Sequence, residues 1–169
     1  MEIVLVHPEI PQNTGCAARL ASATGQRLHL VEPLGFTLES RYLKRAGLDY
    51  WPQVDMTVHP DWETALRDLA RSSERPVGDR LRLFSARGGQ SLFDAEFEGD
   101  DVLVFGSESK GLPAELLGAY AQGRVYVPIR PSVRSLNLAN VMCLGLYTAL
   151  DRTGQLPEND GLYLAPNPT

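Results

Sequence analysis

Short apolar runs alternate along this chain with longer stretches of helical period. Glu2–His7 (EIVLVH) reads as a buried strand, and Leu28–Val31, Val54–His59, Leu81–Ser85, Asp101–Phe105 and Arg124–Val127 read as five more. Between them the pattern predicts a helix from Asn13, as N-cap, through Ala23, stopped by Gly25. A second helix runs from Trp62 to about Ser72 behind a capping Asp61, and a third from Pro113 to near Tyr120. Glu39–Ala46 reads as a short basic helical turn. The last helix, Asn137–Arg152, is closed by Gly154. Strands alternating with helices predict an α/β fold, a mainly parallel sheet flanked by helices. No linker divides residues 1–154, which form one domain; Gln155–Thr169, rich in Pro, Asn and Gly, reads as a tail, loose or docked by Leu162 and Tyr163.

The last helix is apolar nearly all round, with a narrow polar stripe at Asn140, Thr148 and Asp151. Such a helix is buried on more than one side. Either it lies inside a monomer core or one face packs on a second subunit.

Composition narrows the class. Of 169 residues, 43% are hydrophobic and 22% charged, as in a soluble globular domain rather than a disordered chain. Lys+Arg 16 against Asp+Glu 21 gives a net charge of −5, so a nucleic-acid site must be a local basic patch. Cys16 and Cys143 lie far apart and form no CxxC, which fits a reducing compartment; inside helices they read as small apolar fillers. No signal-peptide pattern is present, and no apolar stretch reaches the ~18 residues that span a bilayer. A cytoplasmic protein without membrane contact is expected. No Cys/His cluster has zinc spacing, so no metal is expected, and His7, His29 and His59 read as structural histidines at or near strand ends.

Three loops carry candidate chemistry. Pro11-Gln12-Asn13-Thr14-Gly15 follows the first strand and leads into a helix with Arg19. α/β sheets place ligand loops there, and Arg19, six residues past Asn13, is expected to point back toward the same end; taken alone, the loop reads more plainly as a capping box with a surface Arg. Phe105-Gly106-Ser107-Glu108-Ser109-Lys110-Gly111-Leu112-Pro113 has the glycine spacing of a P-loop, but Leu112-Pro113 stands where Lys and Ser/Thr are needed, against a nucleoside triphosphatase. Glu108 places an anion at its mouth, a poor neighbour for phosphate and a good one for a cation such as a sulfonium. A tight turn with an exposed Glu is the plainer reading. Val127-Pro128-Ile129-Arg130, then Pro131 to Asn137 with Arg134, suggests a rigid basic rim or an ordinary connection, and Ser135 or Asn137 caps the last helix. No GxGxxG or GxSxG occurs, which weakens a dinucleotide oxidoreductase and an α/β-hydrolase.

In this order Asn13-x-Gly15-x₃-Arg19, Phe105-Gly106-x-Glu108-x₂-Gly111-Leu112-Pro113, and Val127-Pro128-Ile129 with Ser135-Leu136-Asn137-Leu138 resemble the three motifs of the SPOUT RNA ribose methyltransferases. Pro8-Glu9-Ile10-Pro11, Glu32-Pro33-Leu34-Gly35-Phe36 and Arg45 to Trp51 resemble the small single-domain branch that methylates the wobble ribose of leucine tRNAs. The resemblance covers nearly the whole chain. It implies a C-terminal trefoil knot, which sequence physics alone would not suggest. It implies S-adenosylmethionine as cofactor, leaving as S-adenosylhomocysteine, bound at Ala86, Gly106, Val127, Ile129, Ser135 and Leu136. It implies a homodimer through helices that include the last one, with Arg19 from one subunit and the cofactor from the other. Arg19, Asn13, Glu108 and Ser135 are the implied catalytic set. Arg41, Lys44, Arg45, Arg130, Arg134 and Tyr147 are the candidates for contact with RNA, here the anticodon stem-loop of tRNA. Arg19, Arg41, Lys44, Arg45, Arg130 and Arg134 on one face would make a basic groove despite the acidic whole. Methylation at another tRNA or ribosomal RNA position, and a non-catalytic RNA-binding module, are the alternatives. Gln12, Cys16-Ala17-Ala18 and a shorter Phe84–Gly106 segment depart from the branch pattern.

Overall fold

A computed structural model describes residues 1–38 and 54–158. Its elements are β1 (Glu2–Val6), α1 (Pro11–Thr24), β2 (Arg27–Val31), β3 (Met56–His59), α2 (Trp62–Leu69), α3 (Val77–Arg80), β4 (Leu81–Phe84), β5 (Gln90–Ser91), β6 (Val102–Phe105), α4 (Ala114–Ala119), a 3-10 turn (Ala121–Gly123), β7 (Arg124–Tyr126) and α5 (Leu138–Arg152). The seven strands form one sheet, order β3-β2-β1-β6-β4-β7-β5, every pairing parallel.

Both faces of the sheet are covered, which explains the contiguous apolar runs. Successive residues point to opposite sides. Ile3, Leu5, Leu28, Leu30, Leu103 and Phe105 join Ala17, Ala18 and Ala21 of α1 and Met142, Leu146 and Ala149 of α5 in one core. Val4, Val6, Val31, Val102 and Val104 join Ala65 and Leu69 of α2 and Leu116 of α4 in the other. Small residues let α5 lie close to the sheet: a Cβ on Gly145 would stand 2.6 Å from the Phe84 ring.

Several expectations need correction. Helix α1 begins two residues before Asn13, with Ile10 as N-cap and Pro11 in the first turn, so Asn13 is a helical residue and not the cap. A proline preset near helical φ, without an N–H to satisfy, starts the helix instead. Gly25 ends it in the left-handed conformation (φ 69°) as expected, and Asp61 caps α2 by accepting from the Thr64 amide at 2.7 Å. Asn137, not Ser135, caps α5, accepting from the Ala139 amide at 2.8 Å. His29 sits in the middle of β2, fully buried, rather than near its end. Cys16 and Cys143 are exposed, not core fillers. On α5, Leu144 (42%) and Tyr147 (40%) are exposed beside Cys143, so within this chain the helix is buried on one side only. The turn expected over 39–46 lies outside the described residues.

The end of the sheet where the strands begin is closed by polar groups that satisfy one another. Arg80, 1% exposed, donates to Asp100 O (2.8 Å), Leu69 O (2.8 Å), Ser72 Oγ (3.0 Å) and Glu2 Oε1 (3.1 Å). His29 Nε2 lies 3.0 Å from Glu2 Oε2, and His29 Nδ1 2.9 Å from His59 Nε2. Burial pushes the Glu2 carboxyl up, but hydrogen bonds from His29 and Ser72 and the nearby Arg80 charge outweigh it and hold it at about 2.

At the opposite end the topology makes a crevice. From central β1 the chain builds outward to β2 and β3, then crosses to place β4 and β6 on the other side. Leu5 pairs with Phe105, so the loops after β1 and β6 leave the sheet side by side at the switch point, where open α/β sheets bind ligands.

Candidate active site

A cleft of about 680 Å³ opens at those carboxyl ends. Its volume suits a nucleotide-sized ligand. All three motif loops contribute, together with the turn after β4. Asn13, Ala86, Gly106, Glu108, Val127, Ile129, Arg134, Ser135 and Leu136 line one cavity, although they span more than a hundred residues of sequence. Phe84 and Phe105, stacked at a centroid distance of 4.5 Å, contribute to it, and Leu112, Leu138 and Val141 add apolar wall.

The loop after β6 is shaped by its glycines. A Cβ on Gly106 would fall 2.1 Å from the carbonyl carbon of Gly111, so only glycine lets the loop fold back on itself. Gly111 takes φ 71°, and Ser107 and Gly111 exchange both backbone hydrogen bonds (3.2 and 2.8 Å).

Glu108 does not stand open to a cation, as its sequence position suggested. Its carboxylate accepts from the Glu9 amide (2.8 Å), the Ile10 amide (3.2 Å) and Asn13 Nδ2 (2.9 Å). Asn13 Oδ1 in turn accepts from Asn137 Nδ2 at 3.4 Å. A polar chain Glu108–Asn13–Asn137 therefore ties together the loops that precede α1, α4 and α5.

Arg19 is exposed and does not line this cleft. Six residues turn a helix through about 240°, so Asn13 faces the chain's own cleft while Arg19 leaves α1 in another direction. The expectation that Arg19 points back to the same end fails for that reason. Arg130 and Tyr147 are exposed outside the cleft, and Arg41, Lys44 and Arg45 lie outside the described residues.

The sequence reading missed Arg87, Lys110 and Arg124, which also line the cleft. Arg124 donates from Nη2 to the Arg87 carbonyl at 2.8 Å, and its buried Nε has no partner among the described residues. Nothing in the sequence distinguishes it from a strand-edge arginine. Lys110 could have been read from its place between Glu108 and Gly111.

His29, His59 and Asp68 have donor atoms within 4.8 Å of one another, a spacing a metal could use. The two imidazoles are already joined to each other, His29 also to Glu2, and the Arg27 guanidinium stands 4.0 Å from Asp68.

Residues 1–147 match the family model described as "SpoU rRNA Methylase family". The chain is 44% identical over 153 residues to a protein of Burkholderia cenocepacia (strain HI2424) named tRNA (cytidine(34)-2'-O)-methyltransferase, covering 90% of this chain and 95% of that one. A Yersinia pestis protein of the same name is 39% identical over 155 residues, covering 91% and 94%. A solved structure described as "Structural insights into the 2-OH methylation of C/U34 on tRNA" superposes with a TM-score of 0.81 at 46% identity, over 89% of this chain and 94% of that one. A parallel sheet with three motif loops at one cleft, and a family match over nearly all the described residues, agree: this chain belongs to the SpoU methylase family of RNA methyltransferases.

Proposed function

We propose that this chain transfers a methyl group from S-adenosylmethionine to the ribose 2′-hydroxyl of nucleotide 34, the wobble position, in tRNA. The observation that carries the reading is the convergence of the three motif loops on one cofactor-sized cleft. The names of relatives that align over nine-tenths of the chain support the substrate.

 An anticodon loop is single-stranded, so its riboses and base edges are open to a protein in a way that paired RNA is not.

The residues present fit the cofactor. The cleft offers apolar side chains at Val127, Ile129 and Leu136 for an adenine ring, and backbone at Ala86, Gly106 and Ser135 that small side chains leave accessible. When bound, S-adenosylmethionine supplies a methyl group activated by its sulfonium. The chain's own task is to hold the ribose oxygen in line with that methyl, which provides much of the acceleration. The new carbon–oxygen bond forms as the carbon–sulfur bond breaks, and the hydroxyl proton must leave. Arg19 cannot take it, because a guanidinium stays protonated. Arg19 instead stabilises the alkoxide developing on the 2′-oxygen and holds the adjoining phosphate, which relays the proton. Asn13 and Ser135 supply hydrogen-bonding groups toward the ribose, and Arg130, Arg134, Tyr147 and the Arg41, Lys44, Arg45 segment contact tRNA.

Two further parts belong to the same reading. The active unit is a homodimer. Arg19 is exposed and outside its own chain's cleft, and Cys143, Leu144 and Tyr147 leave an apolar strip on α5 beside α1. A twin chain that covers this strip would bring Arg19 to its partner's cleft. The segment from Val127 to Asn137 forms part of a C-terminal trefoil knot, a reading that rests on the motif resemblance. A tRNA substrate puts the reaction in the cytoplasm. Among the described residues no helix is long and apolar enough to cross a membrane.

The test is to incubate the pure protein with methyl-labelled S-adenosylmethionine and total tRNA and to map the labelled nucleotide. Label on the 2′-oxygen of nucleotide 34 is the expected result. Label elsewhere moves the substrate assignment, and RNA binding without label transfer makes the chain a non-catalytic module.

A further inference from the structure

We infer that Glu9 is a positioning residue for methyl transfer: through Ser109 it sets where the cofactor-side loop stands relative to the helix that carries Asn13. The inference rests on the proposed reaction and adds a residue that the motif resemblance does not assign to it.

The two loops at the switch point exchange carboxylates. Glu108, from the loop after β6, reaches across to the Glu9 and Ile10 amides and to Asn13. Glu9, from the loop after β1, reaches the other way and accepts from the Ser109 amide (3.1 Å) and the Ser109 hydroxyl (2.7 Å). Five hydrogen bonds thus join segments about a hundred residues apart. Bonds to ionised carboxylates are stronger than neutral ones, and two anions side by side need such donors to be held together.

Each loop is otherwise fixed by contacts that do not involve the other. Residues 107–111 are closed by the Ser107–Gly111 backbone pair and by the contact of Gly106 with Gly111. The Glu9 loop is held from the other side: the Gly35 amide donates to the Pro8 carbonyl at 2.9 Å, and a Cβ on Gly35 would lie 2.8 Å from the Glu9 Cα. His7, at φ 53°, begins that loop in a conformation that costs a non-glycine residue energy. The backbone of Glu9 is therefore set before its side chain acts. What remains is the distance between the two preformed loops, and the exchanged carboxylates span it.

That distance matters because the two loops serve different reactants. Gly106 and its neighbours face the methyl donor, while Asn13 on α1, in the same cleft, serves the ribose. A misplacement of about 1 Å between reacting groups costs on the order of a hundredfold in rate. Glu9 touches neither reactant, so its loss should lower turnover while leaving cofactor affinity in place.

The experiment is a double-mutant cycle in the full-length protein with Glu9→Ala, Ser109→Ala and the pair, alongside Glu9→Gln. It reads kcat and KM for tRNA, S-adenosylmethionine affinity, melting temperature, and amide hydrogen exchange over 106–112 without substrates. Expected are a fall in kcat on the order of tenfold to a hundredfold for Glu9→Ala, a smaller fall for Ser109→Ala, whose amide still donates, and partial rescue in Glu9→Gln, which keeps one acceptor. Cofactor affinity and melting temperature should change little, exchange over 106–112 should rise, and the double variant should be no slower than Glu9→Ala alone. Unchanged kcat in Glu9→Ala overturns the inference, as do effects that multiply in the double variant, or cofactor affinity and melting temperature falling in step with kcat. Wild-type protein without turnover on tRNA overturns the proposed reaction instead, and unchanged exchange in Glu9→Ala then overturns the loop-setting role independently.

Discussion

The two ends of the sheet use the same kinds of side chain to opposite effect. On the side where the strands begin, Glu2, Arg80, Ser72 and His29 spend their polar atoms on one another, and Arg80 is 1% exposed. Where the strands of the switch point end, Glu108, Asn13 and Glu9 also form a network, but it borders an open cleft, and Arg87, Lys110, Arg124 and Arg134 line the same space. The first network closes the domain. The second holds three loops around a space for a ligand. Polar residues alone do not mark a site; polar residues that leave a cavity between them do.

Substitutions separate the two ends. The largest effect on stability is expected for Arg80→Ala, which strands Glu2 and two carbonyls in the interior and should cost about 3–5 kcal/mol. Chemical denaturation measures this, and below the melting temperature S-adenosylmethionine affinity should stay as in the wild type. Arg19→Ala should do the reverse, lowering kcat on the order of 10²–10³-fold with folding and cofactor affinity kept. Equal losses of turnover and affinity would remove Arg19 from the chemistry. Gly106→Ala brings the two ends into one variant, since its Cβ would meet Gly111 at 2.1 Å. It should cost about 1–3 kcal/mol of stability and weaken cofactor binding, as titration calorimetry would read.

Acid should attack the closed end first. Glu2 is held at about 2 in the fold against an ordinary 4.5, so its stabilisation is whole above pH 4.5 and disappears as the pH falls toward 2. Melting temperatures across that window should drop by the equivalent of roughly 2 kcal/mol, and Glu2→Gln should flatten the slope while being less stable at neutral pH. The smallest effect is expected for Asp61→Ala, outside the cleft, where the lost cap on α2 should cost about 1 kcal/mol; a kcat change there would show that the cleft is less insulated than described.

Much of this was legible in the sequence, for physical reasons. Strands β4, β6 and β7 and the last helix show in hydrophobic period, because both faces of the sheet are buried and α5 packs along its length. Gly25 and Asp61 announce helix ends because left-handed backbone and an orphan amide each demand a particular residue. Helix α3 and strand β5, four and two residues long, are too short for any period to register. Side-chain direction was the main loss. Asn13 looked like a cap until Pro11 proved to start α1, and Glu108 looked open until its three N–H partners from the other loop were in place. Those partners lie about a hundred residues away, and local spacing carries no trace of them. The same holds for Arg124, whose contact with Arg87 is made only across the folded cleft.

The central claim is that a cleft from one chain and Arg19 from a twin chain make one site. Subunit complementation tests it most directly. Arg19→Ala chains are mixed with chains carrying Leu136→Arg, which sets a cation against a sulfonium donor at a partly exposed position, and the subunits are exchanged before assay. In a two-fold dimer each mixed pair regains one intact site, so the mixture should recover about one quarter of wild-type turnover. A mixture no more active than the sum of its two parents would place Arg19 and the cleft in the same chain and contradict the account.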